Sequence, residues 1–220
     1  MRGIAKVVGS AEVGAGELDG TVVVGGAFTA DQLKAVGALE VRGPLTVAGR
    51  FSMHGSLDAR GSVHAGEAVL RGPSRLGGEL VVDGTLTVHG TLLAPSVKCG
   101  VVDLSGTATI LGAVVATSVD ADLVADSAIG TIQCRQLRLR GPVPNIVQRV
   151  LGRPPVVTVE RVEAESARIE GARVRFVRAR EIVLGRGAHV GAVEGKVVRA
   201  PASSQVGPES WSRPPYGLSR

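Results

Sequence analysis

Between residues 37 and 95 the chain alternates apolar and polar side chains in short bursts, each opened by a glycine and all but one carrying two apolar positions, the exception having Ser74 at the first. The unit Gly-x-apolar-x-apolar-x recurs as Gly37-Ala-Leu39-Glu-Val41-Arg, Gly43-Pro-Leu45-Thr-Val47-Ala, Gly49-Arg-Phe51-Ser-Met53-His and Gly84-Thr-Leu86-Thr-Val88-His. The glycines keep an almost unbroken six-residue grid at Gly37, Gly43, Gly49, Gly55 and Gly61, then, after one five-residue step, at Gly66, Gly72, Gly78, Gly84 and Gly90. Period-two alternation points two side chains of each unit inward and the polar ones outward, and a glycine supplies the tight geometry of a corner. Strand, corner and strand again, many times over, predict an all-β chain folded as a single-stranded β-helix (solenoid). With three units per coil the length allows roughly ten coils and a rod on the order of 50 Å, at ~4.8 Å per coil.

The grid loosens after Pro95, but alternation persists in Val102-Asp-Leu104, Ala108-Thr-Ile110, Val119-Asp-Ala121-Asp-Leu123 and Leu137-Arg-Leu139-Arg. The main part of the β-helix is therefore expected over 1–140. Four prolines break the pattern in 141–155, which reads as an insertion loop whose middle, Asn145 to Leu151, has the composition of two helical turns capped by Asn145. The insertion interrupts the core and leaves room for the parts on either side to stack at an angle. Repeats resume in Val157-Thr-Val159, Val162-Glu-Ala164, Ala167-Arg-Ile169, Val174-Arg-Phe176 and Ile182-Val-Leu184, giving closing coils over 156–198. Pro, Ser and Gly dominate 199–220, where the expectation is a disordered tail holding Trp211 and Tyr216.

Composition agrees with a narrow interior: 44% of residues are hydrophobic but only 2% aromatic. A broad globular core uses more rings, whereas stacked Val, Leu, Ile and Ala fill a β-helix. No stretch reads as a membrane helix, since Leu104 to Val119 is interrupted by Gly106 and Gly112. Repeat-like sequence from Gly3 onward predicts no leader and a cytoplasmic protein. Cys99 and Cys134 sit at apolar phases, as buried free thiols do in a reducing compartment; a disulfide between them is the alternative.

Charge changes the picture along the rod. Residues 1–134 hold 9 Lys and Arg against 13 Asp and Glu, and residues 135–199 hold 14 against 6. Outward arginines at Arg138, Arg140, Arg173, Arg175, Arg178 and Arg180 form a candidate basic surface, able to meet anionic lipid or an acidic partner. A solvated charged surface is the plain alternative. Nucleic acid fits poorly without stacking aromatics or a recognised motif.

Candidate chemistry is sparse. His54 and His89 each precede a corner glycine, His64 is outward and His189 lies in a late repeat, and no nucleophile or carboxylate partner is set by spacing. Asp120, Asp122 and Asp126 could share a face and hold a cation, or be a solvated strand face. Gly195-Lys196 and Gly185-Arg-Gly187 lack the continuations of nucleotide-binding loops. No cofactor and no enzymatic activity are expected. The hexapeptide acyltransferases place a large aliphatic residue directly before the small one, whereas Val41-Arg-Gly43 and Val88-His-Gly90 interpose an outward residue.

The units from Gly37 to Pro95, the run Ala113-Val-Val-Ala-Thr-Ser-Val-Asp-Ala121 and the stretch from Val162 through Ile169-Glu-Gly171 and Ile182-Val-Leu-Gly185 to Val190 resemble the bactofilins, the polymer-forming cytoskeletal proteins of bacteria. The resemblance spans about three-quarters of the chain. It implies a right-handed helix and filaments formed without nucleotide as scaffolds for cell shape or envelope-associated proteins, with a place at the inner face of the membrane. Independently, a β-helix ends in unpaired backbone groups and an open apolar cross-section. Ile4, Val7 and Val8 follow the methionine with no polar helix to cover them and form the candidate polymerisation face, the partner being the protein itself. A basic-surface adaptor and a β-helix enzyme acting on acyl groups or polysaccharide are the alternatives.

Overall fold

A computed structural model describes residues 2–142 and 155–207. The expected solenoid is the observed fold: a parallel sheet wound into about 11 turns, with no helix among the described residues. The strands are β1 (Arg2–Val7), β2 (Ala11–Val24), β3 (Phe28–Val41), β4 (Leu45–Ala59), β5 (Val63–Leu76), β6 (Leu80–Ala94), β7 (Val97–Val115), β8 (Ser118–Leu123), β9 (Ser127–Gln133), β10 (Gln136–Arg140), β11 (Val157–Glu170), β12 (Ala172–Leu184), β13 (His189–Arg199) and β14 (Gln205–Val206). Most run round a corner, so each coil has three flat faces: A (38–42 in one coil), B (44–48) and C (50–54).

The six-residue grid becomes three vertical ladders of glycine. Gly3, Gly20, Gly37, Gly55, Gly72, Gly90 and Gly106 stack at the corner between faces C and A, in steps of 16 to 18 residues, with φ between 107° and 138°. Gly43 and Gly61 stack at the corner between A and B, and Gly49 and Gly66 at the corner between B and C. One five-residue step in the grid is thus one coil shortened by a residue, absorbed as a register shift between Val47 and Arg50 where β4 meets β5.

Inside, equivalent residues sit on one another. Face C contributes Leu33, Phe51, Ala68, Leu86, Val102, Val119, Leu137, Ala167 and Ile182, all at most 4% exposed, each paired with the next in register. Face A carries Leu39, Leu57, Ser74, Leu92 and Ala108 in one column, so the buried hydroxyl of Ser74 lies between two leucines and has no hydrogen-bond partner among the described residues. Ser127, the other buried polar residue, is satisfied: it accepts from the Ala108 N–H (3.1 Å) and donates to the Ala125 carbonyl (3.0 Å).

The insertion leaves the stack intact. Gln136 pairs with Ser118 below and Ser166 above, and the latter step spans 30 residues rather than 16 to 18 because it includes the extra chain. The returning strand is caught at once: the Val156 N–H donates to the Asp126 carboxylate (2.7 Å), and the Ser127 N–H donates to the Val156 carbonyl (3.1 Å). Coils before and after therefore share one axis of stacking. The expected helix at Asn145–Leu151 lies outside the described residues. The closing coils shorten to 15-residue steps, as in Ser166 to Glu181, and this shifts one phase. Phe176 faces outward beneath the Arg161 guanidinium, 5.0 Å from ring centroid to Cζ, and Val177 fills the inward place. Strand pairing also passes the expected stop at Val198, since Gln205 and Val206 pair with His189 and Val190 and begin a further coil.

Candidate functional site

The residues left incomplete by the fold are those at its two ends. In the first coil Ala5, Val7, Ala11 and Leu18 occupy the inward columns but are only partly buried, because their partners lie on one side alone. Val13, also inward, is 37% exposed. Among the expected end residues the structure separates Val7, which stacks inward on Val24, from Ile4, which stacks on Thr21 in an outward column and is 90% exposed. Val8 is 87% exposed, just after the last pair of β1, on the rim of the coil. Sequence reasoning took the first apolar residues as a group. One 17-residue coil step back from Val22 and Val24 selects Ala5 and Val7, and the same step back from Phe28 and Ala30 adds Ala11 and Val13 from the next face.

At the opposite end Val193 is partly buried, Val197 is 40% and Val206 52% exposed, and on the side of β13 away from β12 the only described strand is β14. Among the described residues no strand pairs with the backbone of 192–199 on its far side, nor with the first coil on its near side.

The outward arginines do not form one uninterrupted basic strip. Arg138 contacts Asp120 (3.9 Å), and Arg140 contacts both Asp120 and Asp122 (3.4 Å each), one coil below. Arg175 pairs with Glu160 (3.3 Å) and Arg178 with Glu194 (3.4 Å). Arg173 stacks between Thr158 and His189 on face A, and Arg180 is exposed. The charge excess counted along the sequence is thus partly neutralised between coils, because a 16- to 18-residue step brings acidic 120–122 under basic 138–140.

The same contacts disperse the acidic candidates. Asp120 and Asp122 face arginines and Asp126 holds the returning backbone; among the described residues no cluster of three or more His, Cys, Asp and Glu can hold a metal. His54 and His89 share one outward column with Arg71 between them, and His64 lies 3.3 Å from Asp83. Burial pushes the His189 pKa down, opposed by a hydrogen bond with Gln205 and aided by the nearby Arg173 charge.

Cys99 and Cys134 are free and half-buried, and burial pushes both thiols up to about 11. Thr117 N–H bonds to Gly100 and Ala116 N–H to Gln133, which places Ala116 between the two cysteines in one column. Two coil steps, ~9.6 Å, separate them, against the ~3.8 Å between Cβ atoms of a disulfide. No helix among the described residues is long and apolar enough to cross a membrane.

No family model, no curated protein and no solved structure matches the chain.

Proposed function

We propose that this protein is a structural scaffold that assembles end to end, terminal coil on terminal coil, into filaments and without nucleotide. The observation that carries the reading is that, among the described residues, the first and last coils keep partly exposed inward side chains and have strand pairing on one side only. Unpaired N–H and C=O groups beside half-exposed apolar side chains are a template for another chain. Completing the burial of Val7, Val13, Leu18, Val197 and Val206 contributes roughly 1 kcal/mol each, about half the value of full burial. Each strand hydrogen bond closed at the junction adds about 0.5–1.5 kcal/mol. Together these offset an association cost of about 4–15 kcal/mol only when the whole cross-section engages, which favours one specific stacking over loose contact.

The resemblance to bactofilins supports the same reading and suggests a cytoplasmic filament beside the inner membrane face, holding envelope-associated proteins. The test is Val7→Asp in the full chain, with Ile4→Asp as the control. A carboxylate at the inward position puts an unpaired charge into the junction, so Val7→Asp yields folded rods and no filaments, whereas Ile4→Asp still polymerises. Filaments of ordinary length from Val7→Asp remove the N-terminal coil from the junction.

A further inference from the structure

We infer that two copies of this solenoid pair side by side through face C, with their long axes antiparallel. In the central outward column of that face four consecutive coils carry Asp103, Asp120, Arg138 and Arg168, each in register with the next. Two acids followed by two bases form a pattern that is complementary to its own reverse. A two-fold axis lying in the interface, parallel to the strands and midway between Asp120 and Arg138, sets Asp120 against Arg138 of the second copy and Asp103 against its Arg168. The operation maps each column onto itself, so the next column pairs Asp122 with Arg140 in the same sense, and the column before it sets the uncharged Ser118 against Gln136. No charge among these meets its like.

Two features show that the single chain leaves this pattern unsatisfied. Asp120, Asp122, Arg138 and Arg140 have partners within the chain, but Asp103 and Arg168 are exposed and, among the described residues, have none. Three coil steps, ~14 Å, keep them from meeting each other. Moreover, Asp103 stands directly beside Asp120, and Arg138 beside Arg168, and like charges opposite one another in a sheet are destabilising. The second copy relieves both repulsions at once, which is the self-complementarity required of an isologous contact.

Six coils of a flat face cover about 29 Å by 17 Å, so the pair buries on the order of 1,000 Å2 in all. That is the lower bound of a specific interface, and its charged character makes it sensitive to salt. In a filament the same contact repeats along the length, and avidity multiplies it. The pairing stands without end-to-end assembly, since lateral contact changes width and axial contact changes length.

The experiment uses the full chain, with mass from sedimentation velocity and width from negative-stain microscopy, between ~0.1 M and ~1 M salt, where the Debye length falls from about 10 Å to about 3 Å. Double-width particles at low salt that separate at high salt are expected. Asp103→Arg alone and Arg168→Asp alone weaken pairing by about tenfold, on the scale of an uncompensated charge contact. Combining the two substitutions restores it, because the exchanged charges again meet their opposites across the two-fold axis. Asp103→Asn, with circular dichroism on every variant, separates lost pairing from lost folding. Single-width particles at low salt, or a double variant no better than either single one, overturn the pairing. Paired short rods without filaments support it while refuting end-to-end assembly, and single-width filaments do the reverse.

Discussion

Replacing Gly55 by alanine tests the coil geometry at a corner with no room for a side chain. Gly55 has φ of 127°, and a Cβ built there meets the carbonyl oxygen of Gly37 one coil below, with the Gly37 carbonyl carbon at 2.9 Å. Both obstacles are backbone, held in place by the strand ladder, so no side chain can swing aside. A residue forced into that region of φ costs of order 1–3 kcal/mol, and separating two packed coils adds to it, for a loss of about 2–4 kcal/mol. Gly84, at the corner between faces B and C, is the matched control: its φ is ordinary and its added Cβ lies 3.1 Å from the Gly66 carbonyl oxygen and 3.5 Å from the flexible Glu67 side chain. There the loss is expected to stay near 1 kcal/mol or below, as for most substitutions outside special sites. At roughly 2–4 °C per kcal/mol for a chain of this size, Gly55→Ala lowers the melting temperature by ~5–15 °C and Gly84→Ala by no more than ~4 °C. Thermal unfolding followed by circular dichroism reads both. Equal shifts for the two variants would refute the assignment of distinct conformational roles to the two ladders.

Removing the unpartnered buried hydroxyl in Ser74→Ala is expected to raise stability by about 1 kcal/mol, since a buried polar group without a partner costs about 1–3 kcal/mol; urea unfolding measures it, and a loss of stability means that the hydroxyl is bonded. The two thiols make stability fall as pH rises: their folded pKa of about 11 lies above the ordinary thiol value of 9.0, so the unfolded chain gives up protons first and stability drops between those values. Cys99→Ala/Cys134→Ala flattens that part of the profile, and an unchanged slope between pH 9 and 11 contradicts the burial of the thiols.

Much of the fold was legible because a β-helix writes its geometry locally. A corner every six residues and two inward side chains between corners need only adjacent residues, and Leu45, Val47, Phe51 and Met53 are all buried where alternation places them. What stacks on what was less legible, since register depends on the summed length of a whole coil. The pairing of Arg138 with Asp120 needs an 18-residue step, and the contact of Arg138 with Arg168 needs a 30-residue step that includes the insertion. No local window holds either relation, so the arginines read as a candidate basic surface with their acidic partners unseen. Shortened coils misled the phase at Phe176, where a 15-residue step leaves too little chain for the six-residue unit. Gln205-Val206, a two-residue strand, carries no period to detect. At the first coil Val7 and Ile4 are equally apolar, and only the 17-residue coil step, which sets Val7 under Val24 and Ile4 under Thr21, tells the inward residue from the outward one.

Electron cryo-microscopy of the full-length protein, assembled without nucleotide, tests end-to-end assembly most directly. The expected result is filaments in which the ~4.8 Å coil spacing runs unbroken across every subunit junction, with Val7 in van der Waals contact with the terminal coil of its neighbour. Discrete rods on the order of 50 Å long, at ~4.8 Å per coil, or filaments whose coil spacing is interrupted between subunits, would contradict it.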